Sequence, residues 1–237
     1  MTMPWLENVS AVLETWYPGI RGGEAISNIL FGKVNPSAKL PVTFPKSESD
    51  LPHPILQGPP PRAVETPVVE GQGPRQRPPE APFDIDYSID ALKVGYKWFD
   101  ADNKEPLFAF GHGLSYTTYS YSHLKVTHGK EMTASFIITN TGKRAGAEIA
   151  QVYVSLPPSA GEPPKRLVAW DKVQLLPGQS KTVTLTMTPQ FLSIFNANDD
   201  RWEMVPGAYK VFVGRSFQSL PLTQTVDLAG QVISTSP

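Results

Sequence analysis

The chain of 237 residues sets 21 Lys and Arg against 22 Asp and Glu, a net charge of −1, with 40% apolar residues and no cysteine. That length allows one large domain or two small ones around a real core, and the lack of cysteine excludes disulfides, thiolate metal sites and cysteine nucleophiles. Basic residues are scattered and no apolar run approaches about 18 residues, so neither a nucleic-acid partner nor a membrane span is expected. The N-terminus shows no charged region followed by an apolar one, so no signal peptide is expected and the compartment stays open.

Residues 1–45 read as mixed helix and strand. Trp5, Val9, Val12, Leu13 and Trp16 recur at three- and four-residue steps, the spacing of one apolar stripe on a helix. Pro18-Gly19 is placed to stop that helix. A second helix is predicted over Gly23–Leu30, with Ala25, Ile26, Ile29 and Leu30 facing inward and Gly32 ending it. Leu40–Phe44 reads as a short strand whose Pro41 implies an edge or a strand start. Helix, turn, helix, strand is a piece of an α/β layer, too small to close a sheet alone.

Residues 46–86 differ in kind. Ten of the 31 residues from Pro52 to Pro82 are proline, and such a segment sustains neither a helix nor a ladder. It reads as an extended, partly polyproline surface loop inserted in the α/β piece. Its PxxP-like spacings would suit an SH3-type partner, although a surface excursion explains them without one.

From about Tyr119 onward the periodicity is two. Phe136 and Ile138, Val152 and Val154, Val183, Leu185 and Met187, and Tyr209, Val211 and Val213 each alternate with polar or small residues. Turn signals stand at Asn140-Thr-Gly, Leu176-Pro-Gly and Val205-Pro-Gly. Roughly seven short strands in about 115 residues indicate an immunoglobulin-like sandwich. The expected fold is therefore mainly β with a small α/β part, divided at 1–118 and 119–237.

Motifs cluster between Trp5 and Tyr121. Trp16-Tyr-Pro-Gly-Ile-Arg-Gly-Gly-Glu-Ala is followed by Leu30-Phe-Gly-Lys-Val-Asn-Pro-Ser-Ala-Lys-Leu-Pro-Val-Thr-Phe-Pro, Val94-Gly-Tyr-Lys-Trp-Phe-Asp and Phe110-Gly-His-Gly-Leu-Ser-Tyr. In this order they closely resemble the C-terminal part of family 3 glycoside hydrolases, the β-glucosidase-like enzymes. The resemblance extends over nearly the whole chain and implies a truncated α/β sandwich domain followed by a fibronectin type III-like domain. One departure precedes Val94. Where relatives show a Tyr-x-Glu-Gly-like sequence, this chain has Tyr87-Ser-Ile-Asp-Ala-Leu, with Ala91 in place of glycine and Asp90 as the acid.

The resemblance also implies a retaining mechanism, with an aspartate nucleophile in an N-terminal barrel and an acid/base glutamate in the α/β domain. Retaining enzymes hold the two carboxyl groups about 5–5.5 Å apart. Both family residues lie upstream of the motifs present here, so no catalytic, cofactor-binding or metal residue is assigned. Glu14, Glu24, Asp84, Asp86 and Asp90 remain, and nothing in their spacing brings two of them to one sugar; each reads as a solvated carboxylate.

The surviving motifs have structural readings. Trp16-Tyr17-Pro18-Gly19 reads as a helix stop with two aromatic anchors. Gly22-Gly23-Glu24 reads as a helix start favoured by the dipole. His112 could be catalytic, and reads better as a turn histidine fixing the domain junction. Trp98, Trp170 and Trp202 could stack on sugars, and read better as core or junction residues. Ser122-His-Leu-Lys125 matches a Ser-x-x-Lys pair, but three residues apart on a strand the two side chains should face opposite ways. Gly113-Leu-Ser115-Tyr-Thr lacks the last glycine of a nucleophile elbow, and His53, His112, His123 and His128 lack metal-ligand spacing. Asn8-Val-Ser matches a glycosylation acceptor on a segment that reads as helix.

The functional expectation is a C-terminal portion of a β-glucosidase-type hydrolase, active on O-glycosidic bonds only when complemented by the catalytic domain. The alternatives are a non-catalytic module that stabilises a partner or binds carbohydrate, and an esterase-like hydrolase whose site the sequence does not reveal. Helices short of packing neighbours would expose apolar faces, so the α/β piece is expected to fold back on the sandwich, to pair in a homo-oligomer, or to meet a separate catalytic polypeptide. Relatives are often secreted or periplasmic.

Overall fold

The computed structural model describes residues 2–54, 88–129 and 131–233. Two antiparallel sheets face each other in its C-terminal half. β1 (Tyr119–His128), β2 (Met132–Asn140) and β5 (Ser180–Met187) make one, in the order β1-β2-β5. β3 (Gly146–Ser155), β4 (Arg166–Leu175), β8 (Gly207–Gly214) and β9 (Leu222–Leu228) make the other, in the order β4-β3-β8-β9. The period-two pattern forces this arrangement. Met132, Ala134, Phe136 and Ile138 of β2 all point inward and are buried, as are Tyr209, Val211 and Val213 of β8. Each large apolar side chain so buried stabilises the fold by about 1.5–3 kcal/mol.

Ten strands are described rather than about seven. The additional ones are short: β6 (Ile194–Asn196), β7 (Arg201–Met204) and β10 (Gln231–Ile233) form a small third sheet in the order β10-β7-β6. Three or four residues on either side of an Asn- and Asp-rich turn are too few for an alternation to register.

β3 differs from every other strand, because nearly all of its residues are buried. One face, with Ala150, Val152 and Val154, belongs to the sandwich core. The other is covered by the preceding part of the chain, where Tyr153 joins Phe99, Ala109 and Phe217 in a second cluster. α2 (Tyr96–Ala101) supplies Tyr96 and Phe99 to that cluster. Tyr96 stacks on Phe110 at 4.8 Å and meets the Tyr153 ring edge-on at 5.8 Å.

The N-terminal expectations need correction. No helix spans Trp5 to Trp16: a single 3-10 turn at Leu6–Asn8 passes into extended chain at Val9, and Trp16 takes a positive φ of 48°. Val9, Val12 and Leu13 stay roughly 40% exposed. A lone helix gains most of its stability from packing its apolar face; of this stripe, Trp16 meets the Phe44 ring at 6.4 Å while Val9, Val12 and Leu13 remain exposed. Tyr17 is fully exposed and anchors nothing.

α1 (Gly22–Leu30) forms where expected, and Gly32 follows it at φ 72°. Its inward face is narrower than predicted, however: Ile26 and Ile29 are half-buried while Ala25 and Leu30 are exposed. Leu40–Phe44 is no regular strand. Leu40 exchanges backbone hydrogen bonds with Gly111 and His112, and Phe44 forms an isolated bridge with Phe108. The expected proline-rich loop lies outside the described residues from position 55 onward; before it, Ser47 and Asp50 close a capping box on the Glu48–Asp50 turn.

Candidate functional site at the junction

The densest polar arrangement lies where residues 35–40 and 111–117 meet the sandwich. Lys39 crosses this seam. Its ammonium donates to Glu148 Oε1 of β3 at 3.3 Å and to the Gly113 carbonyl at 3.4 Å, and both side chains of the pair are nearly buried. Tyr121 of β1 donates its hydroxyl to the same Glu148 oxygen at 2.8 Å. Burial lowers the Lys39 pKa despite the opposing pull of Glu148. Burial, then the Glu148 charge, pushes the Tyr121 hydroxyl up. A buried pair of this kind stabilises little net of desolvation, but it specifies one alignment of its two partners as long as both are present.

Around it the Gly111–Tyr116 motif is held atom by atom. Gln151 of β3 donates its amide to the Gly111 carbonyl at 3.1 Å and to the Arg215 carbonyl at 2.8 Å, while its oxygen accepts the Tyr153 hydroxyl at 2.6 Å. Asn35 Oδ1 accepts Ser115 Oγ at 2.9 Å and the Tyr116 amide at 2.7 Å, and its Nδ2 donates to the Ala145 carbonyl. The Tyr116 hydroxyl reaches back to the Ile29 carbonyl at the end of α1. Thr117 donates to Asn140 Oδ1 at 2.7 Å, and Asn140, itself wholly buried, closes the next turn through the Gly142 amide and the Arg144 carbonyl.

His112 sits in this seam as a turn residue. Its carbonyl accepts the Leu40 amide, its amide donates to the Ala109 carbonyl, and its ring stacks on Phe108 at 5.5 Å. Burial, then the Lys39 ammonium, holds its pKa below the ordinary histidine value. The backbone hydrogen bonds and the stacked ring face fix the turn.

The carboxylates singled out in the sequence stay apart, each engaged locally. Glu14 accepts the Trp16 amide, Glu24 pairs with Arg21, and Asp90 lies 3.5 Å from His53. Asp84 and Asp86 fall outside the described residues. Trp98 is a junction residue, its indole donating to the Asp50 carbonyl at 2.8 Å, and Trp202 packs edge-on against Phe195. Trp170 is neither core nor junction: it is 61% exposed on β4. The Ser122/Lys125 argument also needs correction. A bulge places Ser122 opposite Ile137 and Lys125 opposite Ser135, so both fall on the same outward face. The extra residue reverses the parity on which the sequence argument relied. Ser122 Oγ meets His123 Nδ1 instead, at 3.0 Å. Asn8 and Ser10 are exposed on the 3-10 turn and the extended chain after it.

At the β1–β2 hairpin end, a cavity of about 340 Å³ is lined by His128, Glu131, Met132, Leu192 and Met204 among others, and among the described residues of its lining there is no tryptophan, tyrosine or phenylalanine for a sugar to stack on.

These features define a fibronectin III-like sandwich clasped by the end of an α/β layer. The Glycosyl hydrolase family 3 C-terminal domain matches residues 1–116, and the Fibronectin type III-like domain matches residues 148–217. Beta-glucosidase B of Emericella nidulans is 34% identical over 98% of the chain, and thermostable beta-glucosidase B of Acetivibrio thermocellus is 36% identical over 94%. The crystal structure of DesR, a beta-glucosidase from Streptomyces venezuelae in complex with D-glucose, superposes with a TM-score of 0.79 at 35% identity, covering 96% of this chain and 27% of that one. The chain belongs to glycosyl hydrolase family 3, whose C-terminal region it carries. It spans 26% and 28% of the length of the two curated relatives.

Proposed function

We propose that these 237 residues serve a β-glucosidase-type hydrolase as its C-terminal scaffold. O-glycosidic bonds are cleaved when a catalytic portion outside them supplies the nucleophile and the acid/base carboxyl. The observation that carries this reading is the match of both regions, in order, to relatives named as beta-glucosidases. The separate local engagements of Glu14, Glu24 and Asp90 support it. So does the apolar surface around α1, where Tyr17, Ile20, Leu30, Phe31 and Leu114 are all more than 60% exposed. A patch of that character favours a packed partner over water, and in this reading it receives the rest of the α/β layer.

Hydrolysis of an aryl β-glucoside tests the proposal. Residues 1–237 alone should release no aglycone, and turnover should return on mixing with the N-terminal portion of a relative such as the Acetivibrio enzyme. Robust turnover by the chain alone, abolished by replacing one of its own carboxylates, would sink it. A complex that forms and stays inactive would favour a purely stabilising module.

A further inference from the structure

β1 and β9 are end strands of the two facing sheets, and among the described strands each has a neighbour on one side only. The free side of such a strand presents bare N–H and C=O groups, a template on which another chain can pair. At Val126 both groups are taken by one side chain. Gln224 of β9 accepts the Val126 amide on its Oε1 at 2.9 Å and donates its Nε2 to the Val126 carbonyl at 3.5 Å. A primary amide carries the donor and the acceptor of a peptide unit, so Gln224 fills this edge position as a strand would, from 98 positions away. Its register aims it there. Gln224 stands opposite Val211, a wholly buried residue of β8, and therefore projects from the inward face of its sheet. The earlier half of β1 is guarded differently, by the bulge between Ser122 and Lys125 in which His123 holds a φ of 58°. Such a bulge bends the strand and blunts its edge.

We propose that Gln224 masks a self-pairing surface on β1, whose fitting partner is the same strand of a second copy of this chain. Antiparallel pairing centred on Val126 sets that residue against its own copy, Lys125 against Thr127 and Leu124 against His128. The arrangement is self-complementary, as a two-fold interface requires. Lys125 and Thr127 are both exposed and would meet across the pair without setting like charges opposite each other. With the Gln224 amide in place, the Val126 groups are already satisfied and the second copy gains nothing there. Without it, a backbone donor and acceptor are left unpaired, and a neighbouring strand supplies what the side chain gave.

Sedimentation velocity of the full chain, with wild type and variants at equal concentration and circular dichroism to confirm folding, reads the masking. Gln224→Ala should sediment with about twice the molar mass of wild type, whatever state the wild type itself adopts. Adding Thr127→Lys, which sets Lys125 against a second lysine in the proposed register, should return the mass to the wild-type value. Gln224→Glu, which can still accept the amide but has no donor for the carbonyl, provides a second unmasking variant should the alanine fail to fold. A folded variant with unchanged mass would overturn the proposal, and so would association that Thr127→Lys leaves intact. Loss of folding in both Gln224 variants would make the residue a structural brace instead, which also overturns it.

Discussion

Gly111 and Gln151 approach so closely that a Cβ on the glycine would collide with the glutamine amide, and Gly111 holds a φ of 77°. Two independent costs therefore oppose any side chain there: left-handed backbone strain and the loss of an amide that serves both strand and loop. Gly111→Ala should lower unfolding free energy by about 2–4 kcal/mol in urea denaturation. A midpoint indistinguishable from wild type would show that the seam yields freely.

The Lys39–Glu148 pair makes a second prediction through its non-additivity. Glu148→Leu strands a buried ammonium and should cost about 3–5 kcal/mol. Combining it with Lys39→Met should recover part of that loss, since neither charge is then left alone. A double-mutant cycle in which the two losses simply add would argue against direct coupling.

The pH dependence of His112 has a definite sign. Its folded-state pKa lies below the ordinary value through burial and the Lys39 charge, so the folded protein binds that proton less readily than the unfolded chain. The contribution is complete above about pH 6.5 and is lost as the pH falls through the folded-state value. Urea midpoints at pH 5.0 and 7.5 should differ for this reason, and His112→Phe, which keeps a ring against Phe108, should narrow the gap.

Ala91, at the position where the family resemblance implies a glycine, adopts a φ of 45°. The turn thus holds in left-handed geometry a residue that tolerates it poorly. Ala91→Gly should raise stability by about 0.5–1 kcal/mol, the relieved strain exceeding the added freedom of the unfolded chain. Thermal unfolding with a lowered midpoint would mean that the methyl group packs favourably.

Strands were readable where alternation ran for several residues, as in Ser180–Met187 and Gly207–Gly214. The stripe from Trp5 to Trp16 misled because helical spacing describes a face, not the surface that covers it. The bulge within β1 was invisible, since one inserted residue leaves no mark on composition. The junction was unreadable for a different reason. Lys39 meets Glu148 across 109 positions and Asn35 meets Ala145 across 110, and no local period reports such pairs. The glycines of Gly111-His-Gly marked the place without disclosing their partners.

Because both faces of β3 are covered, severing the chain before Tyr119 would strip the outer sole from Gln151 and Tyr153. Grafting the sandwich onto another hydrolase, or swapping it between relatives, therefore means transplanting the stretch around Leu40 and Tyr96–Phe110 along with it. What looks like a bead on a string behaves as a dovetail joint.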